Sequence, residues 1–170
     1  ITRKQIADSR GWFERMLCIE ELQDLLGARR VAQINRTQTQ KKGSVRGMHF
    51  QHAPSAEMKF VSCLRGEVFD VAVDIRKGSA TYGQHYAIRL SAENKKQLLI
   101  PHGFAHGFSV VSDTAVVLYK CDQFYNKASE GGIRFDDPSL NIDWGIDLKD
   151  AIVSDKDLVL PGIDGCNSMF

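Results

Sequence analysis

Apolar residues along this chain recur mostly at every second position between turn residues, and one early stretch departs from that rhythm. That stretch, Ile19-Glu20-Glu21-Leu22-Gln23-Asp24-Leu25-Leu26-Gly27, spaces its apolar residues at nearly helical intervals and ends on a glycine. A short helix with a glycine stop is expected there. From Arg30-Val31-Ala32-Gln33-Ile34-Asn35 the period is two, as it is again from Lys59 to Leu64. The clearest strand runs from Gly66 to Ile75. Its β-branched and aromatic residues are interrupted by Asp70 and Asp74, and it runs out into the turn Arg76-Lys77-Gly78-Ser79. Further strands are expected at Tyr86–Ser91, Gln97–Ile100, Phe108–Val111 and Ala115–Cys121.

Short strands at roughly ten-residue intervals with a single early helix predict a mainly antiparallel, all-β sandwich or barrel. The lack of helical segments between the strands counts against a doubly wound α/β fold. With four prolines, no low-complexity stretch and no repeat, residues 1–170 are expected to form a single domain. The 43% of apolar residues is enough for a core. A barrel of this kind takes ligands in its mouth or between its sheets. Chemistry is therefore sought in the polar residues that interrupt apolar strands.

Charge and cysteine usage narrow the setting. Lys and Arg number 22 against 21 Asp and Glu, for a formal net charge of +1. That balance lacks the strong positive field of a dedicated nucleic-acid binder. No apolar run approaches the roughly 20 residues of a membrane span. No hydrophobic segment follows Ile1-Thr2-Arg3-Lys4-Gln5, so no export signal is expected. Cys18, Cys63, Cys121 and Cys166 are scattered, with no CxxC pair or zinc-like spacing. Reduced thiols in a soluble, cytoplasmic protein are the expectation.

Two histidine stretches stand out: Arg46-Gly47-Met48-His49-Phe50-Gln51-His52, and Pro101-His102-Gly103-Phe104-Ala105-His106-Gly107-Phe108. In the second, Pro-x-Gly-x-x-His resembles a signature of the cupin superfamily of small jelly-roll barrels, many of which bind a metal through histidines and a glutamate. The matching first signature wants His-x-His, and here it is His49-Phe50-Gln51. Residues two apart in a strand share a face, so Gln51 fills the second ligand position, where it is a poor substitute for imidazole. His52 would face the other way. His52 and His102 read as surface or loop histidines. His49 and His106 read equally well as hydrogen-bonded core histidines.

The surroundings resolve more. Asp8-Ser9-Arg10-Gly11-Trp12-Phe13, Gln33-Ile34-Asn35, Arg46 to Gln51, Lys59 and Phe69-Asp70-Val71-Ala72-Val73-Asp74-Ile75-Arg76 appear in order. Pro101 to Phe108, Leu118-Tyr119-Lys120, Tyr125, Ser129-Glu130-Gly131, Asp136-Asp137-Pro138, Ile142-Asp143-Trp144 and Ser154-Asp155-Lys156-Asp157 follow. Taken together, from about residue 8 to about 160, these resemble the dTDP-4-dehydrorhamnose 3,5-epimerase family of nucleotide-sugar enzymes.

The resemblance implies a cupin-type jelly roll with a short N-terminal helix and few peripheral helical turns, working without metal or cofactor. It implies a nucleoside-diphosphate 4-keto-6-deoxyhexose as substrate, inverted beside its ketone. Such chemistry needs a base, a stabiliser for the enolate oxygen and an acid on the opposite face. By resemblance His49 is the base, Asp157 its partner on the second ring nitrogen, Lys59 the cation near the ketone and Tyr119 the acid. Taken alone, Asp157 reads as a solvated loop residue, Lys59 as an edge-strand lysine and Tyr119 as core filling. Arg10 and Arg46 match the pyrophosphate-binding arginines, whose forked donors suit phosphate. Lys156, Glu130, His106, Gln33 and Asn35 complete the implied substrate contacts, Tyr125 matches the aromatic that stacks on the base, and a homodimer is implied.

Arg15 departs from the pattern, because dTDP-using relatives usually carry a glutamate there; Glu14 is displaced by one position. CDP- or GDP-linked sugars therefore stay open. The segment from Asn35 to Arg46 is one residue longer than in some relatives, and the tail Gly162–Phe170 has no counterpart. The alternatives are a C3-only epimerase, a 3,4-ketoisomerase, a metal-binding cupin oxygenase or isomerase, and a sugar-binding module without turnover.

Overall fold

A computed structural model describes residues 1–168 and 170. The chain opens with a hairpin of β1 (Gln5–Asp8) and β2 (Gly11–Glu14), followed by the short helix α1 (Gln23–Leu26). Then come β3 (Gln33–Thr39), β4 (Val45–Gln51), β5 (Lys59–Arg65), β6 (Glu67–Asp74), β7 (His85–Ser91), β8 (Gln97–Ile100), β9 (Phe104–Val110) and β10 (Ala115–Cys121). A short β11 (Glu130–Gly132) and a short helix α2 (Asp155–Leu158) complete the set, with single 3-10 turns at Lys127–Ser129, Leu148–Asp150 and Ile163–Gly165. Beyond the hairpin, the strands form a four-stranded sheet, β3-β10-β5-β8, and a five-stranded sheet, β11-β4-β9-β6-β7. Every neighbouring pair is antiparallel, as the alternation predicts.

Three apolar layers hold these sheets. Val61, Cys63 and Val117 of the first sheet pack between the sheets against Val68, Ala72, Phe108 and Val110 of the second. The opposite face of the five-stranded sheet carries Met48, Phe50, Val71, Val73 and Ala105, covered by Ile133, Phe135, Leu140, Ile142 and Trp144 from the later chain. The outer face of the four-stranded sheet presents Phe60 to Leu26 and Met58. Covering a sheet on both faces explains why β5 and β6 read as nearly continuous apolar runs. Trp144 is buried, its indole N–H donates to the Phe135 carbonyl at 2.8 Å, and its own carbonyl accepts from Ser109 Oγ at 2.5 Å.

Several elements differ from expectation for identifiable reasons. The predicted helix shrinks to Gln23–Leu26, because Leu22 provides no side-chain cap and Cys18–Leu22 makes only turn hydrogen bonds. The strand expected from Arg30 begins at Gln33 and runs on to Thr39 along β10. β9 starts earlier than expected, at Phe104, because Gly103 and Gly107 hide its alternation. β4 carries a bulge: its register with β9 breaks between Arg46 and His49. Gly47 sits there with φ +115°, and a Cβ on it would lie 2.6 Å from the His106 carbonyl oxygen. Only glycine fits that approach.

Candidate active site

A cavity of about 400 Å³ opens between the inner faces of the two sheets. The five-stranded sheet contributes Arg46, His49 and Gln51 from β4, His106 and Phe108 from β9, and Glu130 from β11. The four-stranded sheet contributes Gln33, Asn35 and Thr37 from β3, Lys59 from β5, and Tyr119 and Cys121 from β10, with Glu57 and Tyr125 from adjoining loops. Period-two geometry aims each set inward, and on β4 the bulge between Arg46 and His49 brings these two residues, three apart, to the same side.

His49 Nε2 lies 2.7 Å from Asp157 Oδ1. Asp157 is buried, and its second oxygen accepts the Gly47 backbone N–H at 3.2 Å. The Ser154 hydroxyl caps α2 by accepting the Asp157 backbone N–H at 3.2 Å. Burial alone would raise the Asp157 carboxyl, but the His49 hydrogen bond and charge, with the Gly47 and Ser154 bonds, outweigh it and hold the carboxyl below its ordinary value. An ionised carboxylate only accepts, so Nε2 carries the hydrogen, and in the neutral ring Nδ1 keeps its lone pair.

Directly across the β4–β9 ladder from His49 stands His106. It is buried, and its Nε2 lies 3.0 and 3.1 Å from the two oxygens of fully buried Asp70. His106 is thus a hydrogen-bonded core histidine whose ring also walls the cavity. Its ring meets Tyr119 edge-on, with centroids 6.1 Å apart.

Tyr119 is half-buried in the opposite sheet, and its hydroxyl lies 3.3 Å from Thr37 Oγ1. Burial drives its phenol well above the ordinary value, more than the Thr37 hydrogen bond lowers it. Lys59 occupies an inner strand, flanked by β10 and β8, rather than a sheet edge. Its ammonium lies 2.8 Å from Glu57 Oε1, with both side chains largely buried.

At the mouth, Glu130 joins two other predicted residues. Lys156 Nζ donates to its Oε1 at 2.5 Å and the Tyr125 hydroxyl donates to its Oε2 at 3.1 Å. Burial raises the Glu130 carboxyl, and these two partners more than offset that, so it titrates below its ordinary value. Arg46 is exposed at the rim, its Nε donating to Thr39 Oγ1 at 3.0 Å. Gln33 Oε1 accepts the Tyr125 backbone N–H at 3.0 Å, while Asn35 lines the wall.

Arg10 is not among the cavity residues. It stands exposed on the β1–β2 hairpin, paired with Asp8 at 2.6 Å. Arg15 pairs with Glu21 on the surface. His52 and His102 both sit in loops, as expected, but half-buried: His102 binds Asp122 at 3.0 Å, and His52 packs edge-on to Phe50 and stacked on Phe170.

The residue that breaks the His-x-His signature has its own work. Gln51 is buried, donating to the Ser55 carbonyl at 2.9 Å and accepting the Asn126 backbone N–H at 2.6 Å. Among the described residues, no three His, Cys, Asp or Glu side chains gather as a metal site. Asp70, Glu57, Thr37 and Thr39 went unassigned in the sequence. Asp70 alone left a signal, a carboxylate interrupting an apolar strand on the face of Val68 and Ala72.

Residues 1–164 match the family model described as dTDP-4-dehydrorhamnose 3,5-epimerase. The Shigella flexneri dTDP-4-dehydrorhamnose 3,5-epimerase is 46% identical over 156 residues, covering 91% of this chain and 84% of that one. The crystal structure of the Elizabethkingia anophelis NUHP1 enzyme of the same name superposes with a TM-score of 0.90 at 45% identity, covering 96% of this chain and 89% of the other. A dTDP-6-deoxy-D-glucose-3,5-epimerase from Legionella pneumophila Philadelphia 1, solved in complex with dTDP-4-keto-L-rhamnose, also superposes at 0.90, with 44% identity over 95% of this chain and 85% of its own. The family match over nearly the whole chain and these relatives make this chain a member of the dTDP-4-dehydrorhamnose 3,5-epimerase family, isomerases built on the cupin-type fold.

Proposed function

We propose that the chain inverts C3 and C5 of dTDP-4-dehydro-6-deoxyglucose, with His49 as base and Tyr119 as acid. The observation that carries this reading is that the two side chains line one cavity from different sheets, His49 from β4 and Tyr119 from β10. A sugar between them has one ring face toward each. His49 Nδ1 takes the proton beside the ketone, and the C–H electron pair becomes the enolate. The Asp157 carboxylate stabilises the imidazolium that forms, and the Lys59 ammonium, held by Glu57, stabilises the enolate oxygen. Tyr119 then gives its proton to the same carbon from the other side. Burial, which raises the phenol above its ordinary value, keeps it in the protonated form at neutral pH. Repeating the exchange at the second carbon completes the double inversion, with no cofactor.

Arg46 and Lys156 supply positive charge for the pyrophosphate at the rim, and Tyr125 a stacking surface for the base. Gln33, Asn35, His106 and Glu130 complete the wall. Arg10 joins the site in a homodimer, carried by the hairpin of a second copy. The exposure of Ile6, Trp12 and Phe13 on that hairpin, at 61%, 63% and 61%, supports an arm that docks elsewhere. Arg15, engaged with Glu21, favours a base contact different from that of glutamate-bearing relatives, and a CDP-linked sugar is the second reading. A cytoplasmic location accords with the free thiols of Cys18, Cys63, Cys121 and Cys166.

Two substitutions test the assignment. His49→Asn abolishes both solvent exchange into the sugar and turnover, whereas Tyr119→Phe impairs epimer formation more than exchange. Normal turnover by His49→Asn would remove His49 as the base.

A further inference from the structure

The cavity-facing side of β3 carries a polar row at alternate positions, Gln33, Asn35, Thr37 and Thr39, and three of the four hold a group on another element. Gln33 holds the Tyr125 backbone, Thr39 holds the Arg46 guanidinium at 3.0 Å, and Thr37 lies 3.3 Å from the Tyr119 hydroxyl. In the β3–β10 ladder Asn35 is opposite Tyr119 and Val117 opposite Thr37, so Thr37 reaches the tyrosine along the diagonal.

A phenol has one hydrogen to give. If Tyr119 spent it on Thr37, none would face the sugar. We infer that Thr37 is the positioning residue for the acid: its hydroxyl donates to the Tyr119 oxygen and leaves the phenolic O–H free to turn into the cavity. The inference rests on the reading of Tyr119 as the acid. When the phenolic O–H breaks, the enolate electron pair forms the new C–H bond and the ketone returns. The phenolate left behind keeps the Thr37 hydrogen bond, which is stronger to an anion than to a neutral phenol. Water at the cavity mouth then reprotonates the phenolate, and the His49 imidazolium releases its proton to water.

Thr39, on the same strand and face, serves the phosphate end instead, which gives an internal comparison. Thr37→Val, Thr37→Ser, Thr39→Val and Tyr119→Phe are each assayed in heavy water with the 4-keto nucleotide sugar. Deuterium incorporation, epimer formation and KM are followed separately. Thr37→Val lowers epimer formation about tenfold while exchange and KM stay within about twofold, because the lost bond acts only on reprotonation. Thr37→Ser, which keeps the hydroxyl, restores epimer formation, and Thr39→Val raises KM while the ratio of exchange to epimer formation is unchanged.

Equal losses of exchange and epimer formation in Thr37→Val, or a Thr37→Ser as impaired as Thr37→Val, would overturn the inference and leave Thr37 a structural residue. Wild-type behaviour of Tyr119→Phe would remove the acid assignment itself. A deficient Tyr119→Phe beside an unaffected Thr37→Val would overturn the role of Thr37 alone.

Discussion

Asp157 gives His49 a direction as well as a partner. By accepting from Nε2 at 2.7 Å it leaves Nδ1 as the basic nitrogen, and by staying ionised it favours the imidazolium. Asp157→Asn is therefore expected to lower kcat by about 10²–10⁴-fold with little change in KM, read from steady-state kinetics. The same substitution has a pH signature in stability. The carboxyl titrates below its ordinary value in the folded chain, so its contribution is complete above the unfolded value of about 3.9 and is lost as pH falls toward the lower folded one. Urea melts at pH 6 should show Asp157→Asn less stable than the parent, and the gap should close below about pH 4. A gap that persisted unchanged into acid would mean that the carboxylate charge contributes nothing.

The elements differ in how far their residue order announces them. β8 and β10 occupy the expected ranges, because Gln97–Ile100 and Ala115–Cys121 are short apolar runs without glycine. β4 carries much of the site yet has no clean alternation, since Gly47 and its bulge shift the phase between Arg46 and His49. The β1–β2 hairpin was invisible for another reason: Trp12 and Phe13 face solvent rather than this chain's core. α2 is a single charged turn held by Ser154, too short for helical periodicity to register.

Site residues divide in the same way. Motif likeness singled out His49, Lys59, Tyr119 and Asp157, whereas the sequence separation of 108 between His49 and Asp157 leaves no local trace of their pairing apart from that likeness. Glu57, Thr37 and Thr39 were missed because ordinary polar side chains beside a strand carry no chemical mark until the fold supplies their partners. Gln51 shows the converse, since a departure from a metal signature became intelligible once its loop contacts were visible.

Across the molecule, the cavity depends on a layer of side chains that never touches it. The later chain covers the back of the five-stranded sheet, with Trp144 buried against Phe135 and hydrogen-bonded to it. Trp144→Ala is expected to destabilise the fold by about 3–5 kcal/mol, seen as a fall in Tm of roughly 10 °C by calorimetry. An unchanged Tm would mean that this outer layer does not support the sheet.

A formal net charge of +1 also hides local organisation. Arg46 and Lys59 gather at one cavity with Lys156 at its mouth, two of the three paired with carboxylates, so an anionic substrate meets positive groups without a basic surface.

The most direct test of opposed base and acid is incubation of the enzyme with dTDP-4-dehydro-6-deoxyglucose in heavy water, with the product analysed by NMR. Deuterium at both C3 and C5 of an inverted sugar is the predicted result. Deuterium at C3 alone would limit the reaction to one centre, and a sugar recovered without deuterium at either carbon would contradict the account.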